Sequence, residues 1–209
     1  MTIYYIYTAI IAYLIGAVPF PQIFSKLFFK QDLTSTGSKN VGTRNFYETS
    51  GHKVLGIMVL LLELGKGFAS VIVAHYYSPT FDFALFGATF AVLGHNFNPF
   101  LKFKGGRGLA VAGGAMIIIS PIALLAWLAV YFIFGFALKD VHLRAIIATV
   151  LIPIWAIIST DYYFYTFQLF PWDMFLSDFY IITIFSFALA ILLKHIQPVV
   201  DLMKGVKDY

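Results

Sequence analysis

Of the 209 residues, 60% are hydrophobic, 19% aromatic and 11% charged, with a formal net charge of +4. A soluble domain averages about 25% charged residues, so most of this surface cannot meet water, and the composition excludes a soluble protein in favour of an integral membrane one. The absence of cysteine excludes disulfides, cysteine-based metal sites and thiol catalysis.

Apolar runs fall near 3–25, 54–77, 83–101, 109–138, 143–160 and 179–194. At about 1.5 Å per residue, several are long enough to cross a hydrocarbon core of ~30 Å. The first lacks a basic n-region and a small-residue cleavage site, and reads as a retained helix rather than a signal peptide. It leads into a polar island, 26–53, rich in Gly, Asn and hydroxyl residues, whose composition favours irregular backbone over helix. The second run carries Glu63 and Lys66, three residues apart and so on one helical face. Charges at membrane depth are costly; the pair reads as structural, as a snorkelling lysine, or as substrate-lining. The third run ends in GHNFNPF, followed at once by KFKGGRG, residues 102–108. The fourth is about 30 residues long and is expected to turn at Ser120-Pro121, because Pro ends a helix and disfavours helix in the residue before it.

Every Lys and Arg except Lys66 lies in 26–53, 102–107, 139–144 or 194–207, whereas 76–82 and 161–178 hold only acidic charges. The positive-inside rule puts the basic segments in the cytoplasm, and all four reach it only if the fourth run crosses and returns. The expected fold is therefore all-α, an integral membrane protein of seven transmembrane helices. Its N-terminus is outside, its C-terminus is cytoplasmic, and 1–209 forms one domain. The 109–119 helix, about 17 Å long, is short for a full span.

Two Gly-rich basic loops on one face suggest an anion site. Gly105, Gly106 and Gly108 let backbone N–H groups converge on a phosphate; Lys104 and Arg107 add charge, and a helix starting after Gly108 adds its positive dipole end. The GxxxxGK[ST] spacing of a nucleotide-binding P-loop is absent. His95 and His195 adjoin basic segments and titrate near neutrality, so either suits proton transfer from a hydroxyl; alternatively they are interfacial residues. Ser38, flanked by Gly37 and Lys39, is an accessible hydroxyl near charge or a turn residue. No histidine pair has zinc-ligand spacing, so no metal is expected.

The stretch T-G-S-K-N-V-G-T-R-N at 36–45 resembles the G-S-G-N-x-G-A-T-N loop of the bacterial acylphosphate-dependent glycerol-3-phosphate acyltransferases. G-H-N-F-N-P-F-L-K-F-K-G-G-R-G at 94–108 is similar to that family's G-H-x-[FY]-P-x-F-x-x-F-K-G-G-K-G, and E-x-x-K-G-F at 63–68 to its D-x-x-K-G. The resemblance covers essentially the whole chain. It implies acyl transfer from a fatty acyl phosphate to the 1-hydroxyl of glycerol 3-phosphate, giving lysophosphatidic acid and phosphate without metal or cofactor. It also implies a monomer in the inner (plasma) membrane with its site facing the cytoplasm. Partners would be membrane lipids and an acyl-phosphate-forming enzyme, and no nucleic acid. By position, Ser38 and His195 become catalytic candidates. Lys104, Gly105, Gly106, Arg107 and Gly108 become the acyl-phosphate loop, and Asn40, Gly42, Arg44, Asn45, His95 and Lys66 substrate-binding candidates.

The chain departs from the family pattern at Lys39, at Thr43-Arg44, at Glu48 where an arginine is usual, near His142–Ala145 where a serine is usual, and at Pro198 where an asparagine is usual. It resembles a diverged member in which the donor loop is kept and the acceptor half altered. The alternatives are a paralogue with another acceptor and a non-catalytic lipid-binding or transport protein.

Overall fold

The computed structural model describes residues 2–158 and 179–204. The acidic segment 161–178 and Lys207, both used in the charge argument above, lie outside the described residues. Within them the chain forms ten α-helices and no strand: α1 Thr2–Ala17, α2 Phe20–Phe29, α3 Thr43–Ser50, α4 Lys53–Tyr77, α5 Phe81–Asn96, α6 Leu109–Ile119, α7 Pro121–Ile133, α8 Val141–Ile158, α9 Phe179–Leu192 and α10 Ile196–Met203. By length and composition, Ile3–Phe29 and Lys53–Tyr77 suffice to cross a membrane, while Ile182–Leu192 and Ile196–Met203 form a pair bent by 47°.

Proline and serine set the breaks, at Ser120-Pro121 as expected from the sequence and at Pro19 inside a run read as one helix. Pro19 separates α1 from α2. Ser120 ends α6 in extended backbone, and its hydroxyl then accepts a bond from Ala123 N–H to start α7, with Pro121 at the first helical position. The polar island departs from expectation, because α3 lies inside it. Its ends carry helix punctuation: Gly42 is the extended N-cap residue, and Gly51 closes the helix at φ 64°. What holds this short helix is Phe46, fully buried against Leu33, Val41 and Val59, with the Phe24 and Phe29 rings edge-on. Burial of one aromatic side chain outweighs the local preference for loop.

The main core lies between α4, α5, α6 and α9 and is built from small and branched residues, among them Val71, Ala84, Ala88, Val92, Val111, Ala115 and Ile118. Helices α4 and α6 cross closely. A Cβ on Gly67 would overlap the Val111 carbonyl, and one on Gly114 the Leu64 carbonyl. Two further polar contacts tie the frame: Asn96 Nδ2 donates to Ala190 O (2.7 Å), joining α5 to α9, and Trp127 Nε1 donates to Thr149 Oγ1 (3.0 Å), joining α7 to α8.

The helix crossing yields a direct test. Gly67→Leu should cost about 3 kcal/mol or more by overpacking, seen as a lowered Tm or lost monodispersity in detergent. Gly65→Leu, where a Cβ meets open space, should leave both unchanged. Equal behaviour of the two variants would contradict the packing.

Candidate active site

Backbone carbonyls at the end of α1 and polar side chains of α4 and α5 converge on one buried cluster. Lys66 Nζ donates to Gly16 O (2.9 Å) and Val18 O (2.8 Å), carbonyls left at the end of α1 by the Pro19 break. It also stands 2.8 Å from Glu63 Oε2. His95 Nδ1 lies at hydrogen-bond distance from Nζ (3.2 Å) and 2.9 Å from the same Oε2, so ammonium, imidazole and carboxylate form one compact buried group. Nearby, Asn98 Nδ2 donates to Ala17 O (2.5 Å), so the end of α1 is satisfied by side chains from two other segments.

This cluster floors a cavity of about 600 Å³. One wall is a single face of α4, running Lys53, Gly56, Ile57, Leu60, Glu63 at helical spacing, so the cavity extends about 15 Å along that helix. Asn40, Gly42 and Arg44 supply the rim from the first loop and α3. Arg107 and Gly108 come from the loop before α6, and His142 and His195 close the far side. Leu109 and Trp127 line this cavity and also an adjoining one of about 380 Å³, walled by apolar residues such as Leu64, Leu85, Met116, Ile152 and Phe187. Two neighbouring cavities thus share Leu109 and Trp127, one with charged side chains at places in its lining and the other apolar.

His195 has defined chemistry. Its Nδ1 lies 3.0 Å from Ile191 O; a carbonyl only accepts, so Nδ1 bears the hydrogen and Nε2 is a bare lone pair. Nε2 is buried and finds no hydrogen-bond partner among the described residues. Burial, with the Arg107 charge nearby, lowers the ring's pKa to about 4, against the raising effect of the Ile191 bond. At neutral pH the side chain is therefore an uncharged acceptor. Arg107 Nη1 donates to His142 Nε2 (2.8 Å), and the His142 and His195 rings are 5.5 Å apart.

Seven of the residues singled out from the sequence meet in the cavity lining: Asn40, Gly42, Arg44, His95, Arg107, Gly108 and His195. Others lie behind it. Asn45 is buried and holds the first loop closed, its Nδ2 donating to Thr36 O (3.0 Å) and Asn40 O (2.9 Å) while its Oδ1 accepts from Ser38 N–H (3.0 Å). Ser38 is half-buried beside the lining segment rather than in it, and Lys104 is exposed. Lys66 is not substrate-lining, because the α1 carbonyls and Glu63 engage it within the protein. Gly105 and Gly106 are not an open cradle: Gly106 N–H donates to His95 O (3.1 Å), and a Cβ on Gly106 would overlap His95 Nε2. These glycines let the loop seat directly on the end of α5. Glu48, which stands where an arginine is usual, lies outside the lining and pairs with Arg44 at 2.6 Å. His142 and Lys53 are lining residues the site assignment missed, and Glu63 lines the cavity although its partner Lys66 does not; the place of His142 in the basic segment 139–144 was the signal for it.

The fold and site define an all-α integral membrane protein with a cavity bearing charged side chains next to an apolar one. The glycerol-3-phosphate acyltransferase family model matches residues 6–205. Relatives include the glycerol-3-phosphate acyltransferases of Staphylococcus haemolyticus, 35% identical over 161 residues (73% of this chain, 79% of that one), and Staphylococcus carnosus, 34% identical over the same shares. Among solved structures, PlsY, described as an integral membrane glycerol 3-phosphate acyltransferase, superposes in its glycerol 3-phosphate form with a TM-score of 0.78. That match has 26% identity and covers 97% of this chain and 94% of that one. Its lysophosphatidic acid form superposes with a TM-score of 0.76 at 25% identity, covering 97% and 93%. The chain belongs to the glycerol-3-phosphate acyltransferase family.

The His195 tautomer and charge are open to measurement. Imidazole ¹⁵N shifts of selectively labelled protein in detergent should show a neutral His195 from pH 8 down to pH 6, charging only towards about pH 4. A midpoint near 6.5 would contradict the burial argument.

Proposed function

We propose that this enzyme transfers a fatty acyl group from an acyl phosphate to the 1-hydroxyl of sn-glycerol 3-phosphate, yielding lysophosphatidic acid and inorganic phosphate. The observation that carries the reading is the buried, unpartnered Nε2 of His195, a residue lining a cavity that also takes in Arg44, Lys53 and Arg107 and that shares Leu109 and Trp127 with an apolar cavity. Both substrates are phosphates and one bears an alkyl chain, so this combination suits both. Family membership and the PlsY likeness support the same chemistry.

In this reading the donor's alkyl chain lies in the apolar cavity, past Leu109 and Trp127, and its phosphate meets Arg107. The acceptor's phosphate sits towards Arg44 and Lys53, with its reacting hydroxyl on His195 Nε2. The hydroxyl oxygen attacks the acyl carbonyl, its proton passes to Nε2, and the carbonyl carbon–oxygen bond to phosphate breaks. The departing phosphate takes the electron pair and then the proton, which restores neutral His195. Arg107, donating to His142 and charged throughout, stabilises the leaving phosphate. Ser38 acts from beside the lining, its backbone N–H held by Asn45, and Lys104 attracts anions from its exposed position. No cofactor or metal is invoked.

The proposed topology has seven spans, α1, α4, α5, α6, α7, α8 and α9, with the N-terminus outside, the C-terminus inside and 1–209 as one unit. The grouping of Arg44, Lys53, Arg107 and His195 around one chamber supports a cytoplasmic site in the plasma membrane. The enzyme works as a monomer, next to an enzyme that supplies acyl phosphate.

Purified protein given palmitoyl phosphate should release phosphate only when glycerol 3-phosphate is present. His195→Ala should lower kcat by about 100-fold or more, the usual scale for a lost acid–base group. Arg107→Lys should fall within about tenfold of wild type and Arg107→Met well below it. Gly106→Leu should abolish activity by displacing His95. Turnover only with a different polyol phosphate would assign another acceptor, and no turnover with any would overturn the reading.

A further inference from the structure

Just before Arg107 the chain exposes large apolar side chains among positive ones. Phe100 and Phe103 are 64% and 62% exposed, and Lys102 and Lys104 beside them are exposed as well. The loop is built rather than slack. Lys102 and Phe103 both hold positive φ, 53° and 62°, a region that residues with a Cβ adopt only where surrounding contacts impose it. Asn98 supplies those contacts. Its backbone carbonyl accepts from Leu101 N–H (3.1 Å) and Phe103 N–H (2.8 Å), and its Oδ1 accepts from Phe100 N–H (3.0 Å). Leu101 packs inward against the small core of Leu33, Val41, Phe46 and Val59.

The place of the loop indicates what faces it. Asn98 Nδ2 donates to Ala17 O, so the loop stands at the last residue of α1 rather than out in solution. Helix α2 packs on the same small core through Phe24 and Phe29, and leaves Leu27 and Phe28 exposed next to an exposed Lys30. Lys26 has Asp32 at 3.9 Å, whereas Lys30, Lys102 and Lys104 form no ion pair among the described residues. Water is a poor surrounding for exposed phenylalanines, and hydrocarbon is a poor one for unpaired ammonium groups. The combination fits the boundary between them, where rings lie at the acyl edge and lysines reach the headgroups. Positive charge there is attracted by anionic lipid.

We propose that the 100–104 loop, with the Leu27–Lys30 end of α2, is a lipid-binding surface that seats on anionic phospholipid headgroups of the surrounding bilayer. Phe100 and Phe103 enter the acyl boundary, and the three unpaired lysines meet headgroup phosphates. Only Gly105 and Gly106 separate the loop from Arg107, so the seat also sets the level at which Arg107 stands relative to the headgroups. The inference does not depend on the reaction assigned above.

Because the chain has no cysteine, a single nitroxide can report depth in nanodiscs. It is placed at Phe103→Cys, with Phe100→Cys as the second reporter if the first variant does not fold. Collision rates with oxygen, which partitions into lipid, and with a water-confined nickel chelate give the ratio of immersed to exposed label. In nanodiscs containing anionic phospholipid the label should collide chiefly with oxygen. One lysine near such a surface is worth about fivefold in this ratio. Zwitterionic nanodiscs, or Lys30→Gln/Lys102→Gln in anionic ones, should therefore lower it by about tenfold or more. A label at Ser35→Cys, an exposed position in the first loop, should stay in water throughout. A Phe103 label in water in anionic nanodiscs overturns the inference and leaves the face to a protein partner. Equal immersion in both lipids, immersion unchanged by the lysine variant, or an immersed Ser35 label overturns it as well.

Discussion

The buried ammonium of Lys66 is the constraint on which the rest of the structure depends. A lysine inside a membrane helix is costly unless each of its donors is used. Here two go to the carbonyls that Pro19 strands at the end of α1, the third hydrogen-bond contact is with His95 Nδ1, and Glu63 pairs with the charge. The negative end of the α1 dipole adds to the attraction. One side chain thus fixes where α1 stops, how α1 meets α4, and through Glu63 where His95 and the end of α5 lie.

The reactive geometry follows from that placement. With His95 fixed, its carbonyl receives Gly106 N–H, and the two glycines let the basic loop settle on α5 without a side chain between them. The loop then delivers Arg107 to His142 and the neighbourhood of His195. The first loop is assembled independently by Asn45, whose amide bridges Thr36, Ser38 and Asn40, and by the Phe46 anchor. Two rigid polar loops therefore meet over the α4 face. The apolar cavity beyond Trp127 gives the chamber an amphipathic character matched to a substrate with a charged head and an alkyl tail.

Much of this was legible in the sequence because the signals are local. Hydropathy gave the apolar runs, Ser120-Pro121 gave the break between α6 and α7, and the motif glycines gave the start of α6 after Gly108. Tertiary contacts account for what was not. Helix α3 exists because Phe46 finds a pocket built by residues from α2, the first loop and α4, which no local propensity reveals. Lys66 looked like a lining residue because its partners are backbone carbonyls fifty positions away. His142 was passed over because its value lies in accepting from Arg107, thirty-five positions earlier. The glycines of the basic loop were assigned to ligand approach when their first duty is approach to another part of the same chain.

The central claim is that Lys66 holds the site together from behind rather than touching substrate. A stability cycle across Lys66→Met, Glu63→Met and the double variant tests it most directly. Removing one partner should destabilise the protein by about 3–5 kcal/mol, with the double variant closer to wild type than either single one. A Lys66→Met protein with wild-type thermal stability would contradict the account.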